Sequence, residues 1–217
     1  MKYELAIFDL DGTILDTIAD LTTAVNDGLA KEGLPLRPVD DIRRFVGNGI
    51  HKTIERAGPP GTDAAAIERI YDNFNAYYPE HCADLTRPYP GIRELVERLR
   101  AAGVKTAVVS NKVDYGVKKL CDLWYPGLFD MALGERPGIP RKPAPDGVLE
   151  VLSALGVPAE RSVYIGDSDV DLQTARNAGM DEILVAWGFR GRKALEDCGG
   201  RRIVDTAEEI GDLILGD

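Results

Sequence analysis

The segment AIFDLDGTILDT, residues 6–17, joins an apolar run to two closely spaced aspartates. The run YELAIF, residues 3–8, is short and apolar throughout, which predicts a strand buried on both faces of a parallel sheet. Asp9 and Asp11 follow at once, so a buried element ends on two like charges. We expect a positive group to lie among them, because facing carboxylates repel each other.

Further apolar runs predict four more strands, and amphipathic segments that end in glycine lie between them. In GIRELVERLRAAG, residues 91–103, the apolar residues fall on one helical face before Gly103. Strands that alternate with helices predict an α/β fold with a doubly wound, Rossmann-like parallel sheet. The four runs are VKTAVV (104–109), LFDMAL (128–133), SVYI (162–165) and EILVA (182–186).

Residues 16–83 interrupt this alternation, because they contain only helical periodicities. We therefore predict an all-helical cap domain at 16–83, inserted into an α/β core domain made of 1–15 and 84–217. The segment CADLTRPYPG, residues 82–91, would return the chain to the core through its prolines and glycine.

Composition excludes several classes of protein. The 26 basic and 36 acidic residues give a net charge of −10, which disfavours binding to nucleic acid or anionic membranes. No apolar run is long enough to span a bilayer, and no signal peptide is expected, which favours a cytoplasmic protein. Neither a disulfide framework nor a zinc site is suggested by the three separated cysteines, Cys82, Cys121 and Cys198.

Polar clusters follow three of the predicted strands. They are DLDGT (9–13), SN (110–111) and GDSDVD (166–171). Ligands of doubly wound folds bind outside the carboxyl ends of the strands, so these clusters should converge on one site. Asp9, Asp11 and Asp167 would supply the all-oxygen ligands that Mg²⁺ prefers. Lys142 would add positive charge, and Ser110 and Asn111 can donate hydrogen bonds to phosphate.

The motifs DLDGT, SN, KP and GDSDVD, in this order and spacing, resemble the four motifs of the haloacid dehalogenase superfamily. The resemblance runs over nearly the whole chain, and the helical insertion is similar to the small α-helical cap of that family. The strings VGNG, TRPYPG, SNK, KPAP, YIGDSDVD and WGF are similar to its phosphoglycolate phosphatase branch.

The resemblance implies a role for each motif residue. Asp9 would be the nucleophile, and Asp11 the general acid and then the general base. Mg²⁺ would be held by Asp9, the backbone carbonyl of Asp11, and Asp167. Asp171 would support these ligands without binding the ion itself. Ser110 and Lys142 would bind the phosphoryl group, and Thr13 and Asn111 are further candidates for substrate contacts.

Substrate choice is expected to reside in the cap, because the core motifs account only for the phosphoryl group, the metal and the proton transfers. The loop VGNGIHK, residues 46–52, is the candidate. Gly47, Asn48 and Gly49 could present backbone N–H groups to an anionic leaving group, and Asn48, His51 or Lys52 could add a side-chain contact. Alternatively, the glycines only shape a turn between helices.

The sequence thus predicts a Mg²⁺-dependent phosphatase for a small phosphorylated metabolite, 2-phosphoglycolate first, working as a monomer or homodimer. Alternatives are a pyrophosphatase, another sugar or acid phosphate phosphatase, a phosphomutase, or a phosphate-binding regulatory protein without turnover. A dehalogenase is disfavoured because dehalogenases of this superfamily lack a carboxylate corresponding to Asp11. Phosphonoacetaldehyde hydrolysis would need a cap lysine, for which Lys52 is the nearest candidate. A cysteine phosphatase is disfavoured because no Cys-x₅-Arg motif is present.

Overall fold

The computed structural model describes residues 2–216, so Met1 and Asp217 of the predicted core domain lie outside the described residues. A six-stranded parallel sheet forms its centre, with the strands β1 (Leu5–Phe8), β4 (Lys105–Val113), β5 (Met131–Glu135), β6 (Ser162–Gly166), β7 (Asp181–Val185) and β8 (Ile203–Val204). Their order across the sheet is β5-β4-β1-β6-β7-β8. The predicted α/β class and parallel sheet are confirmed.

The central strand β1 lies between β4 and β6, and all of its residues are fully buried. Helices cover both faces of the sheet, which explains why the strand is apolar at every position. In α5 the predicted face of Ile92, Leu95, Val96 and Leu99 is buried, and Gly103 follows with a φ of +84°. The helices that follow the insertion are α5 (Ile92–Ala101), α6 (Asp114–Trp124), α7 (Asp146–Leu155), α8 (Asp169–Asn177), α9 (Gly191–Asp197) and α10 (Ala207–Leu215).

The insertion is helical, as predicted. Its helices are α1 (Ile18–Lys31), α2 (Val39–Phe45), α3 (Ile50–Ala57) and α4 (Ala64–His81). α1 packs most extensively against α4, and the two approach closely at Gly28, where a Cβ would lie 2.9 Å from the side chain of Ile70. We call this segment, α1 to α4 with its loops, the cap.

A short antiparallel ribbon joins the cap to the sheet. It pairs β2 (Leu15–Asp16) with β3 (Arg87–Pro88), neither of which the sequence predicted. Asp20 of α1 strengthens the junction by accepting hydrogen bonds from the backbone N–H groups of Leu85 and Thr86 and from the Thr86 hydroxyl. The predicted boundaries at 15/16 and 83/84 fall at or near this ribbon, and we propose that it separates core from cap.

Two other features bear on the sequence expectations. Cys82, Cys121 and Cys198 are free thiols. Within residues 2–216, no helix combines the length and apolarity that crossing a bilayer requires.

Candidate active site

Asp9 and Lys142 form the centre of a buried cluster at the carboxyl edge of the sheet. Asp9 follows β1, and its backbone N–H donates to the carbonyl of Ile165 at 2.8 Å. Lys142 lies shortly before α7, and its Nζ is 2.9 Å from Asp9 Oδ1. The same ammonium donates to the Tyr164 hydroxyl at 2.9 Å and to Asp171 Oδ1 at 2.7 Å. The fold thus brings together motif residues that are far apart in sequence.

The carboxylate of Asp11 has a different set of partners. Thr17, directly before α1, donates its hydroxyl to Asp11 Oδ1 at 2.7 Å. Lys112 Nζ donates to the same oxygen at 3.0 Å and to the Tyr78 hydroxyl at 2.6 Å. Because Tyr78 belongs to α4 and Thr17 borders α1, the cap helps to orient this carboxylate.

Asp171 uses both of its carboxylate oxygens within the cluster. Oδ2 accepts from the backbone N–H groups of Asp167 and Ser168, each at 3.1 Å, and from the Ser168 hydroxyl at 2.6 Å. Oδ1 accepts from Lys142. Ser168 and Asp171 also form the capping box of α8, which fixes both side chains on a helix terminus. This arrangement suits the supporting role expected of Asp171.

Burial raises the pKa of two carboxyls in the cluster. The pKa of Asp9 rises from 3.8 to about 6, chiefly because the group is desolvated, and the charges of Asp171 and Asp11 oppose the lowering effect of Lys142. Burial also holds the pKa of Asp167 well above its usual range, with the charges of Asp171 and Asp9 contributing. Both carboxyls are therefore desolvated and lie close to other negative charges.

The donor set of the cluster fits a hard divalent cation. Carboxylate oxygens of Asp9, Asp167 and Asp171 lie within 4.8 Å of one another. Asp9 Oδ1 is buried, and apart from its ion pair with Lys142 it has no hydrogen-bond donor among the described residues. At Gly12, whose φ is +82°, a Cβ would lie 2.4 Å from Asp167 Oδ2, so glycine lets the backbone close on this carboxylate. Buried oxygen ligands with excess negative charge suit Mg²⁺.

A cavity of about 50 Å³ lies between this cluster and the cap. Its volume suits a small ligand, since a single water needs roughly 10–15 Å³ on this scale. Core residues on its wall include Asp9, Asp11, Ser110, Asn111, Lys112, Lys142 and Asp167, and the cap residues are Leu21, Val46, Gly47, Gly49, Ile50, Thr53, Phe74 and Tyr78.

Two of the residues expected to contact the substrate, Ser110 and Thr13, differ in whether they reach the cavity. Ser110 lines the cavity. It lies inside β4, which continues to Val113 instead of ending at Val109 as predicted, and the pairing with β5 shifts register between these two residues. Thr13 is fully buried, is not part of the cavity wall, and its hydroxyl has no hydrogen-bond partner among the described residues.

Asn111 holds backbone groups in place. Its amide nitrogen donates to the carbonyls of Gly47 and Lys142, both at 2.9 Å, and its oxygen accepts from the backbone N–H of Lys142 at 2.8 Å. Both N–H donors are therefore used within the protein, where the sequence analysis expected this side chain to donate to phosphate. Asn111 instead positions Lys142 and ties the cap loop to the core.

The cap loop is divided between the cavity and the outer surface. Gly47 and Gly49 line the cavity, as expected of groups that approach a ligand. The Asn48 side chain is part of an outer surface and accepts from Arg56 at 2.8 Å. His51 and Lys52 share that outer surface, where Lys52 pairs with Glu55. In this structure the loop thus presents Gly47 and Gly49 to the cavity, whereas the side chains of Asn48, His51 and Lys52, expected at the leaving group, lie on the outer surface.

Sequence reasoning missed Lys112, Tyr78 and Thr17. Lys112 directly follows the Ser110-Asn111 motif, and this position was the one sequence signal that could have identified it as a site residue. Tyr78 lies four residues after Phe74 on the buried face of α4, where an aromatic residue is expected in any helix core. Arg190 also lines the cavity, and its guanidinium donates to the carbonyls of Arg43 and Val46.

Comparisons with known proteins agree with this geometry. Residues 6–185 match the profile of the Haloacid dehalogenase-like hydrolase family. The phosphoglycolate phosphatase of Pseudomonas syringae pv. tomato is 34% identical over 95% of this chain and 78% of its own length. That of Caulobacter vibrioides is 37% identical over 84% of this chain and 78% of its own.

A solved structure from Lactobacillus delbrueckii subsp. bulgaricus, provisionally called a phosphoglycolate phosphatase, is 45% identical. It matches with a TM-score of 0.95 over 100% of both chains. The chain belongs to the haloacid dehalogenase-like hydrolase family and is one of its phosphatases.

Proposed function

We propose that this protein is a Mg²⁺-dependent phosphoric monoester hydrolase that acts on 2-phosphoglycolate through a phosphoryl-enzyme intermediate on Asp9. One observation carries the proposal. Asp9 and Asp11 open onto one cavity, and each is paired with its own buried lysine, Lys142 and Lys112. Two carboxyls in separate environments can take separate roles, one as nucleophile and one as acid and base.

In the first step an oxygen of Asp9 forms a bond to phosphorus while the ester P–O bond breaks. Asp11 gives its proton to the departing oxygen, so the product leaves as an alcohol. In the second step Asp11 takes a proton from water, the water oxygen bonds to phosphorus, and the Asp9–phosphorus bond breaks. Lys142 stabilises negative charge on the transferring group.

Asp9, Asp167 and the backbone carbonyl of Asp11 are the candidates for holding Mg²⁺, since both oxygens of Asp171 are already hydrogen-bonded. When bound, the ion supplies charge neutralisation for the carboxylates and for the phosphoryl oxygens. Asp171 orients Asp167 through its backbone N–H. These residues would carry the cofactor dependence of the enzyme.

Two features support 2-phosphoglycolate as the substrate. The two relatives from Pseudomonas syringae and Caulobacter vibrioides described above are named phosphoglycolate phosphatases. The cap wall of the cavity is largely apolar, and the hydroxyl of Thr53 there is already bonded to the carbonyl of Gly49 at 3.1 Å. A sugar phosphate would bring several hydroxyls to this wall without partners, which costs affinity. A short acid needs only one polar contact region.

The test is a steady-state assay of purified protein with Mg²⁺ and with EDTA. We expect the highest kcat/KM for 2-phosphoglycolate, lower values for glucose 6-phosphate and pyrophosphate, and no turnover in EDTA. Full turnover in EDTA would contradict the metal dependence. A higher kcat/KM for pyrophosphate or for glucose 6-phosphate would instead indicate a pyrophosphatase or a sugar phosphate phosphatase.

A further inference from the structure

We propose that Lys112 and Tyr78 together form the subsite that binds the carboxylate of the leaving group, an inference that rests on the proposed phosphatase function. Lys112 comes from the core strand β4 and Tyr78 from the cap helix α4. Both line the cavity that Asp9 and Asp11 share. The subsite therefore exists only where cap and core meet.

Both side chains keep a donor for a ligand. A lysine ammonium has three N–H donors, and the partners of Lys112 Nζ are one carboxylate, Asp11, and one hydroxyl, Tyr78. One N–H can serve each of them, which leaves the third for a ligand. Tyr78 accepts from Lys112 and keeps its own proton, because burial raises the pKa of the phenol above its ordinary value.

These two donors suit a carboxylate. Lys112 Nζ and the Tyr78 hydroxyl oxygen lie 2.6 Å apart, so the two oxygens of one carboxylate can each accept from one of them. Tyr78 is 1% exposed and Lys112 7%, and Phe74 stacks on the Tyr78 ring at 4.7 Å. Exclusion of water strengthens a charge-assisted bond at this position.

The distance from the reacting atoms favours a very short acid. Asp11, the proposed acid for the leaving oxygen, lies 3.0 Å from Lys112 Nζ. In a phosphorylated two-carbon acid the carboxylate is only about 3 Å from the ester oxygen at ordinary bond lengths. A ligand whose ester oxygen contacts Asp11 can thus reach the adjacent ammonium without a longer chain.

The other cations on the cavity wall have their own partners. Lys142 pairs with Asp9 and Asp171 on the nucleophile side. Arg190 donates to the carbonyls of Arg43 and Val46 in the cap. Of the described residues that line the cavity, Lys112 is the cation beside Asp11, on the side where the leaving group departs.

The experiment compares kcat/KM for 2-phosphoglycolate with that for 2-hydroxyethyl phosphate, which has the same two carbons and no carboxylate. The ratio of the two values is the readout, because Lys112 also contacts Asp11 and its replacement is expected to slow both substrates. We expect Tyr78→Phe to lower the ratio about 10- to 100-fold, as for one lost hydrogen bond to a charged group. Lys112→Gln should lower it at least as much.

Matched controls are Tyr77→Phe, on the same helix but stacked on His81, and Lys52→Gln, on the outer surface of the cap. Both should keep the ratio of the unaltered protein. If Tyr78→Phe and Lys112→Gln also keep it, the subsite is wrong while the phosphatase function stands. If the unaltered protein shows no preference for 2-phosphoglycolate, the proposed substrate and the subsite both fall.

Discussion

Lys112 Nζ lies 3.0 Å from Asp11 Oδ1, and in this pair Lys112 is buried under the cap whereas Asp11 is partly buried. The equivalent partner of Asp9 is Lys142, at 2.9 Å. One residue separates the two aspartates in sequence, yet their lysine partners come from distant parts of the chain. Lys112 belongs to β4, and Lys142 lies in the loop before α7. This separation allows Asp9 to act as a nucleophile and Asp11 as an acid and base within one cavity.

Thr17 should be a positioning residue for Asp11, because its hydroxyl donates to Asp11 Oδ1 at 2.7 Å. We expect Thr17→Val to lower kcat about 10-fold with little change in KM, as for one lost hydrogen bond to a charged group that acts in the transition state. Thr22→Val is the matched control, since the Thr22 hydroxyl donates to a carbonyl within α1. Equal kcat values for both variants would show that the Thr17 hydroxyl does not position Asp11 for catalysis.

Arg190 should hold the cap loop against the core. Its guanidinium donates to the carbonyls of Arg43, in α2, and Val46, which directly precedes Gly47 in the cap loop. We expect Arg190→Ala to raise KM and to speed amide hydrogen exchange in residues 43–50. Arg192→Ala is the control, because Arg192 pairs with Asp205 at the surface. Unchanged hydrogen exchange in the loop would show that Arg190 is not needed to hold it, and that other contacts, such as the hydrogen bond from Asn111 to the Gly47 carbonyl, are sufficient.

Mg²⁺ should stabilise the folded protein independently of turnover. An ion that binds only the native state adds about 2.7 kcal/mol to the free energy of unfolding at 100 times its Kd. We expect Mg²⁺ to raise the Tm of the unaltered protein, and Asp167→Asn to abolish the rise. Asp169→Asn should retain it, since Asp169 is an exposed neighbour on α8. A rise that persists in Asp167→Asn would place the ion elsewhere.

In the metal-free protein, the contribution of Asp9 to the free energy of unfolding should fall as the pH rises from about 4 to about 6. Asp9 has its pKa raised from 3.8 to about 6 by burial, so the native state holds this proton more tightly than the unfolded chain. Stability from this group is therefore greatest at low pH and declines across that window. Asp9→Asn in EDTA should show a shallower decline in the free energy of unfolding. Identical pH profiles would mean that Asp9 is not desolvated.

Much of the fold could be predicted because parallel strands buried on both faces are continuous apolar runs. β1 and β6 follow that rule closely, and the polar residues that come directly after them, Asp9 and Asp167, lie close together as expected. The strands β2, β3 and β8 escaped prediction because each has two residues, too few for a periodic pattern. Their pairing depends on where the rest of the chain places them.

The candidate site could be predicted where residue type and the order of the motifs together suggest chemistry, as for Asp9, Asp167 and Lys142. Tyr78 could not be found this way, since its spacing from Phe74 is equally typical of a helix core. The Asn111 side chain could not be assigned either, because its partners Gly47 and Lys142 come from separate parts of the chain. Such contacts depend on tertiary geometry that local sequence does not encode.

The central claim is that Asp9 carries the phosphoryl group during turnover, and trapping that group tests it most directly. Asp11→Asn removes the proposed base for the second step, so an aryl phosphate, whose leaving group needs little protonation, should phosphorylate this variant and then hydrolyse slowly. After an acid quench, peptide mass spectrometry should locate the phosphoryl group on Asp9, and the double variant Asp9→Asn, Asp11→Asn should carry none. A phosphoryl group on another residue, or wild-type turnover by Asp9→Asn, would contradict the account.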